Sequence, residues 1–99
     1  MKPFQLSTPA SEELTAAIQW YETRRSGLGA DFFDAVVRTI GLIQAHTEIG
    51  TARAGRFPNR QLLVTGFPYK VVYRARESDI YVVAIAHTSR RPDFWKERR

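Results

Sequence analysis

The chain has 99 residues, 15 Lys+Arg against 10 Asp+Glu, no cysteine and 43% apolar residues. That length supports one compact core, and the apolar share excludes a wholly disordered chain. The lack of cysteine excludes a disulfide framework, thiolate zinc sites, iron–sulfur clusters and a thiol nucleophile. No apolar run approaches the roughly 18–20 residues that span a bilayer, and Met1 to Ser11 lacks the apolar core of a signal peptide, so a cytoplasmic location is expected.

Lys2 to Leu6 is short and weakly apolar and suits an edge strand. Thr8-Pro9 reads as a helix start, with Thr8 as the cap and Pro9 in the first helical position. Leu14, Ala17, Ile18 and Tyr21 then follow at the i, i+3, i+4, i+7 spacing of one helix face. Glu12 and Glu13 are expected in the first turn and Arg24 and Arg25 in the last, an order that complements the helix dipole. Gly27 is expected to end this helix in a left-handed conformation. A second apolar-periodic segment from about Ala30 to Ala45 carries Phe32, Phe33, Val36, Val37, Ile40 and Ile43. The short connection makes the two helices an antiparallel hairpin.

Glu48 to Asn59, with Gly50, Gly55 and Pro58, reads as a loop. The period then changes to two. Strands are predicted at Gln61–Thr65, Tyr69–Arg76 and Ile80–His87, separated by Gly66-Phe67-Pro68 and Glu77-Ser78-Asp79. Thr88 to Arg99 is a polar tail in which Phe94 and Trp95 are suited to pin the segment to the body. The order β-α-α-β-β-β predicts a two-layer α+β domain, with the helical hairpin packed on one face of a small antiparallel sheet. Along Tyr69–Arg76, strand alternation puts Tyr69, Val71 and Tyr73 under the helices. Lys70, Arg74 and Arg76 then form a basic stripe on the other, open face.

Charge is segregated. Residues 1–52 carry four Lys/Arg and six Asp/Glu, a net −2, whereas residues 53–99 carry eleven and four, a net +7. A basic C-terminal half points to an anionic partner. The two histidines, His46 and His87, have no ligand-spaced neighbours, so no metal or other cofactor is expected. Cationic chemistry is what remains: lysine and arginine can stabilise the charge that develops when an RNA 2′-OH attacks its own phosphate. The same residues also suit an electrostatic docking surface with no chemistry of its own.

The ordered set Phe67-Pro68-Tyr69-Lys70-Val71-Val72-Tyr73-Arg74, then Ile80 to His87, then Arg90-Arg91-Pro92-Asp93-Phe94-Trp95 and Arg98, resembles the C-terminal half of the RelE/ParE toxin superfamily. Ala16 to Glu22, Gly27-Leu28-Gly29 and Phe32-Phe33 are similar to its helical half, so the resemblance spans residues 1–99 as a single toxin domain. It implies the toxin of a bacterial type II toxin–antitoxin pair, neutralised by a cognate antitoxin. RelE-like members cut mRNA on the ribosome without a metal; here that activity would fall to Arg60, Lys70 and Arg90. Only one basic residue stands in the strand where those toxins carry a run of lysines, and Phe94 or Trp95 replaces their tail tyrosine. The Phe-Pro-Tyr turn and the His-x-x-Arg-Arg-Pro ending look more like the ParE-like branch, which inhibits DNA gyrase by binding. On that reading Arg90, Arg91, Trp95 and Arg98 contact the target, and Lys70, Arg74 and Arg76 pair with acidic residues of the antitoxin. A non-toxic basic nucleic-acid-binding module is the third alternative.

Overall fold

The computed structural model describes residues 1–99. Its elements are β1 (Phe4–Leu6), α1 (Thr8–Arg24), α2 (Leu28–Ala45), β2 (Thr51–Arg53), β3 (Asn59–Leu63), β4 (Tyr69–Ala75) and β5 (Ile80–His87). The five strands form one sheet in the order β1-β5-β4-β3-β2. The hairpin of α1 and α2 covers one face of it, as the periodicity predicts. The sheet is mixed rather than antiparallel, because β1 runs parallel to β5 with Phe4 opposite Ile80 and Leu6 opposite Val82. The helical hairpin between β1 and the remaining strands is a crossover, which is what a parallel pair requires.

The helix boundaries differ slightly from the sequence reading. Ser7, not Thr8, caps α1: its side-chain oxygen accepts from the Ala10 N–H at 3.1 Å. The first turn is therefore free of acidic residues, and Glu12 and Glu13 lie beyond it. Gly27 does adopt a left-handed conformation (φ 89°), but as the N-cap of α2; α1 ends one step earlier on an extended Arg25. Glu22 ties the two helices together by accepting from the N–H groups of Gly27 and Gly29, each at 3.0 Å. Those donors hold its carboxyl below the usual range. Gly29 allows the close approach: a Cβ there would sit 2.7 Å from the Ile18 carbonyl oxygen.

The main core lies between the hairpin and the sheet. Leu14, Ala17 and Tyr21 from α1 meet Phe32, Val36, Ile40 and Ile43 from α2 over Val71, Tyr73, Ile80, Val82 and Ile85. Tyr21, Phe32, Phe67 and Tyr69 close one end as a cluster of rings with centroids 4.9–6.1 Å apart. The segment read as a loop contains β2, three residues antiparallel to β3. Such a short edge strand carries no alternation to read. Gly50, just before it, donates its N–H to the Tyr73 hydroxyl at 2.9 Å, and that hydroxyl donates to the Thr47 carbonyl at 2.8 Å.

The opposite face of the sheet is not bare. Val72, Val83, Ala84, Ala86 and Trp95 form a second, smaller core. A bulge in β5 enlarges it: Val72 pairs with Ala84 and Tyr73 with Val82, so Val83 is an extra residue and both Val83 and Ala84 turn to this side. The tail that follows β5 crosses this patch with Trp95 inserted at 1% exposure. Trp95 thus pins the tail, as its size suggests, and has no free surface to offer a target.

Candidate binding surfaces

Alternation along β4 places Lys70 and Arg74 on the tail side, away from the hairpin, as expected. Neither is part of a free-standing stripe. The Arg74 guanidinium donates from Nε to Asn59 Oδ1 at 2.9 Å and from a terminal nitrogen to the Arg98 carbonyl at 2.8 Å. Burial pushes its pKa down. Arg76 makes a two-pronged pair with Asp79, each contact 2.7 Å, which lowers the Asp79 carboxyl and raises the Arg76 guanidinium. Lys70 is half-buried at the rim of a shallow trough with Thr51, Gln61, Leu63 and Thr88.

The residues expected at a target interface separate in the same way. Arg90 and Arg91 are exposed. Trp95 is buried. Arg98 is committed to an internal pair: its guanidinium meets the Glu13 carboxylate at 2.9 and 3.1 Å and the Val83 carbonyl at 3.1 Å. That pair closes a gap in the sheet. β1 ends opposite Val82, so the rest of β5 has no strand on that side. Arg98 takes the Val83 carbonyl while Glu13 accepts the Ile85 N–H at 3.1 Å.

The three cations of the nuclease reading do not converge. Arg60 lies opposite Tyr73 in the register, on the hairpin side, and is held by the Gly50 carbonyl at 2.8 Å and by Glu48. Lys70 projects from the other face of the sheet. Arg90 lies past the end of β5, its guanidinium 4.0 Å from the Phe94 ring centre. No cluster of three or more His, Asp or Glu suited to a metal ion is present, and no helix is long and apolar enough to cross a membrane.

Sequence reasoning missed the largest concavity. A groove of about 670 Å³ runs between α1 and the strandless part of β5. Ala16, Trp20, Tyr21, Pro68, Tyr69 and Ile85 give it an apolar floor, and Glu13 and the pair His87 and Arg90 add charged or polar groups to its lining. Trp20 is half exposed there, with the Arg24 guanidinium stacked 4.2 Å from its ring centre. A signal for it exists in Trp20, a large aromatic side chain next to Tyr21 and so just off the buried face of α1. What the sequence lacked was the length of β1, whose early end opens the groove.

Comparison with known proteins places these features in a family. Among solved structures, one described as the chromosomal ParDE TA system from P. aeruginosa superposes with a TM-score of 0.73. The match is 18% identical and covers 88% of this chain and 96% of the other, a likeness of fold. No curated protein matches. A family model for the ParE toxin of the type II toxin–antitoxin system parDE matches residues 4–92, nearly the whole chain. The protein therefore belongs to the ParE toxin family of type II toxin–antitoxin systems.

Proposed function

We propose that this toxin inhibits DNA gyrase by binding it, without chemistry of its own, and that a cognate antitoxin neutralises it by laying an amphipathic segment in the groove between α1 and β5. The observation that carries the first part is the scatter of Arg60, Lys70 and Arg90. Metal-free cleavage of RNA needs cations gathered around one phosphate, and here one faces the hairpin, one the tail side and one lies past the end of β5. Arg90 and Arg91 are the target contacts that remain accessible. The groove supports the second part. Its floor suits aliphatic or aromatic anchors at helical spacing, and Arg90 at its rim suits an acidic flank.

The test uses purified chain in two assays. In gyrase supercoiling, inhibition is expected together with accumulation of cleaved DNA. Arg90→Ala combined with Arg91→Ala should relieve both effects. In cell-free translation, protein synthesis should continue with intact mRNA. Failure of translation with cut mRNA, while gyrase is unaffected, would refute the proposal. For the groove, Trp20→Glu should weaken the complex with the cognate antitoxin, and unchanged affinity would exclude that site.

A further inference from the structure

The tail side of the molecule carries a charge surplus that neither the groove nor the gyrase reading uses. Four of the cations beyond residue 52 are paired with carboxylates: Arg53 with Asp93, Arg60 with Glu48, Arg76 with Asp79 and Arg98 with Glu13. Arg56, Lys70, Arg74, Lys96 and Arg99 have no carboxylate partner, and the fold gathers them on one side. Lys70 and Arg74 project from β4 toward the tail. Arg56 and Arg74 share the Phe57 ring, at 5.4 and 4.3 Å from its centre. The Lys96 side chain lies near Gly55 in the adjoining loop, 3.8 Å from where a Cβ would be. Arg99 is anchored through its carbonyl to the Tyr81 hydroxyl at 3.1 Å. The unpaired acids of the C-terminal half are Glu77 and Glu97. The helices opposite carry five acids against three arginines over residues 8–45.

We infer that this side is a binding surface for the sugar–phosphate backbone of duplex DNA, distinct from the groove and independent of the gyrase reading. A surface whose cations outnumber its free carboxylates, and whose exposed large aliphatic side chain is Leu63 beside Lys70, fits a polyanion better than an amphipathic protein segment. The aromatic residues decide the form of nucleic acid. Single strands bind through bases stacked on free rings. Each ring here already carries two guanidinium groups: Arg56 and Arg74 on Phe57, Arg74 and Arg76 on Tyr81, Arg90 and Arg98 on Phe94. Arg74, Arg76 and Arg98 spend their N–H groups on internal partners, so the charge left to meet phosphate is that of Arg56, Lys70, Lys96 and Arg99, which read backbone and not sequence.

The experiment is fluorescence anisotropy of the chain with two unrelated 20-base-pair duplexes, one single strand and polyglutamate, across a salt series. Both duplexes should bind alike, and neutralising three or four phosphates predicts a log–log salt slope of about −3. Replacing Arg56, Lys96 and Arg99 together by Gln removes most of that charge; the slope should flatten to about −1, with at least a tenfold loss of affinity at low salt. The charge-retaining set Arg56→Lys, Lys96→Arg and Arg99→Lys should bind as the parent does, which separates loss of charge from loss of fold. Undetectable duplex binding at 50 mM salt, unchanged binding by the Gln variant, tighter binding of the single strand, or equal binding of polyglutamate would each overturn the inference.

Discussion

Replacing Trp95 by Ala tests whether the last twelve residues are part of the folded body. The ring is 1% exposed and packs against Val72, Val83, Ala84 and Ala86, beneath a tail with no helix or strand of its own. Removing a fully buried Trp costs about 3–5 kcal/mol, from lost transfer free energy and the cavity left behind. Domains of this size have about 5–15 kcal/mol in all, so the loss is a large part of the total. The assay is urea unfolding followed by fluorescence in a Trp20→Phe background. Trp20 is the other tryptophan and is half exposed, so its removal leaves Trp95 as the sole indole reporter. Native emission should be blue-shifted and shift red on unfolding. Stability of the Ala variant is then followed by circular dichroism. Trp95→Phe should cost less, since it keeps much of the apolar surface and removes an indole N–H that has no partner. A solvent-like native emission, or an Ala variant within about 1 kcal/mol of its parent, would refute the packing described.

Two further perturbations probe the framework. Gly50→Ala places a Cβ 2.8 Å from the Tyr73 ring and 2.9 Å from the Gln61 carbonyl oxygen, so the link from β2 to Tyr73 must shift. A cost of about 1–3 kcal/mol is expected, read as a fall in melting temperature; an unchanged melt would refute the contact. Glu22→Gln concerns pH. Because the folded state depresses the Glu22 pKa, its charge contributes stability that is present above the ordinary carboxylate range and is lost as pH falls through the depressed value. The variant should be less stable at pH 7, and the gap should close in acid; a gap independent of pH would exclude the carboxylate's role.

The parts of the fold that were legible in the sequence are those with a strong period and a single solvent-facing side. Leu14, Ala17 and Tyr21, then Phe32, Val36, Ile40 and Ile43, and Tyr69, Val71 and Tyr73 point where spacing puts them, whereas Phe33 and Val37 of the same apolar segment face outward. The illegible parts depend on contacts distant in sequence. Nothing within Phe4–Leu6 shows that it will lie parallel to β5, and nothing local to β5 reveals that Val83 is an extra residue. The candidate site was misjudged for a related reason. Alternation correctly put Lys70 and Arg74 on the tail side but says nothing about what covers that side. Residues 88–99 do so because Phe94 and Trp95 need burial and the bulge supplies apolar surface to receive them. Arg98 looked free because its partner, Glu13, is 85 residues away.

The Glu13–Arg98 bridge has a consequence for solubility. A sheet margin with unsatisfied backbone groups is a template on which further copies of a chain can polymerise. β5 has such a margin beyond Val82, and it is blocked by two side chains that carry opposite charges. Losing Glu13 would free the Ile85 N–H beside an oily trench, whereas without Arg98 the Val83 carbonyl would still accept from the Ser7 hydroxyl at 3.1 Å. Glu13, held in place by Arg98, is thus the side chain that keeps this margin from pairing with another copy of the chain.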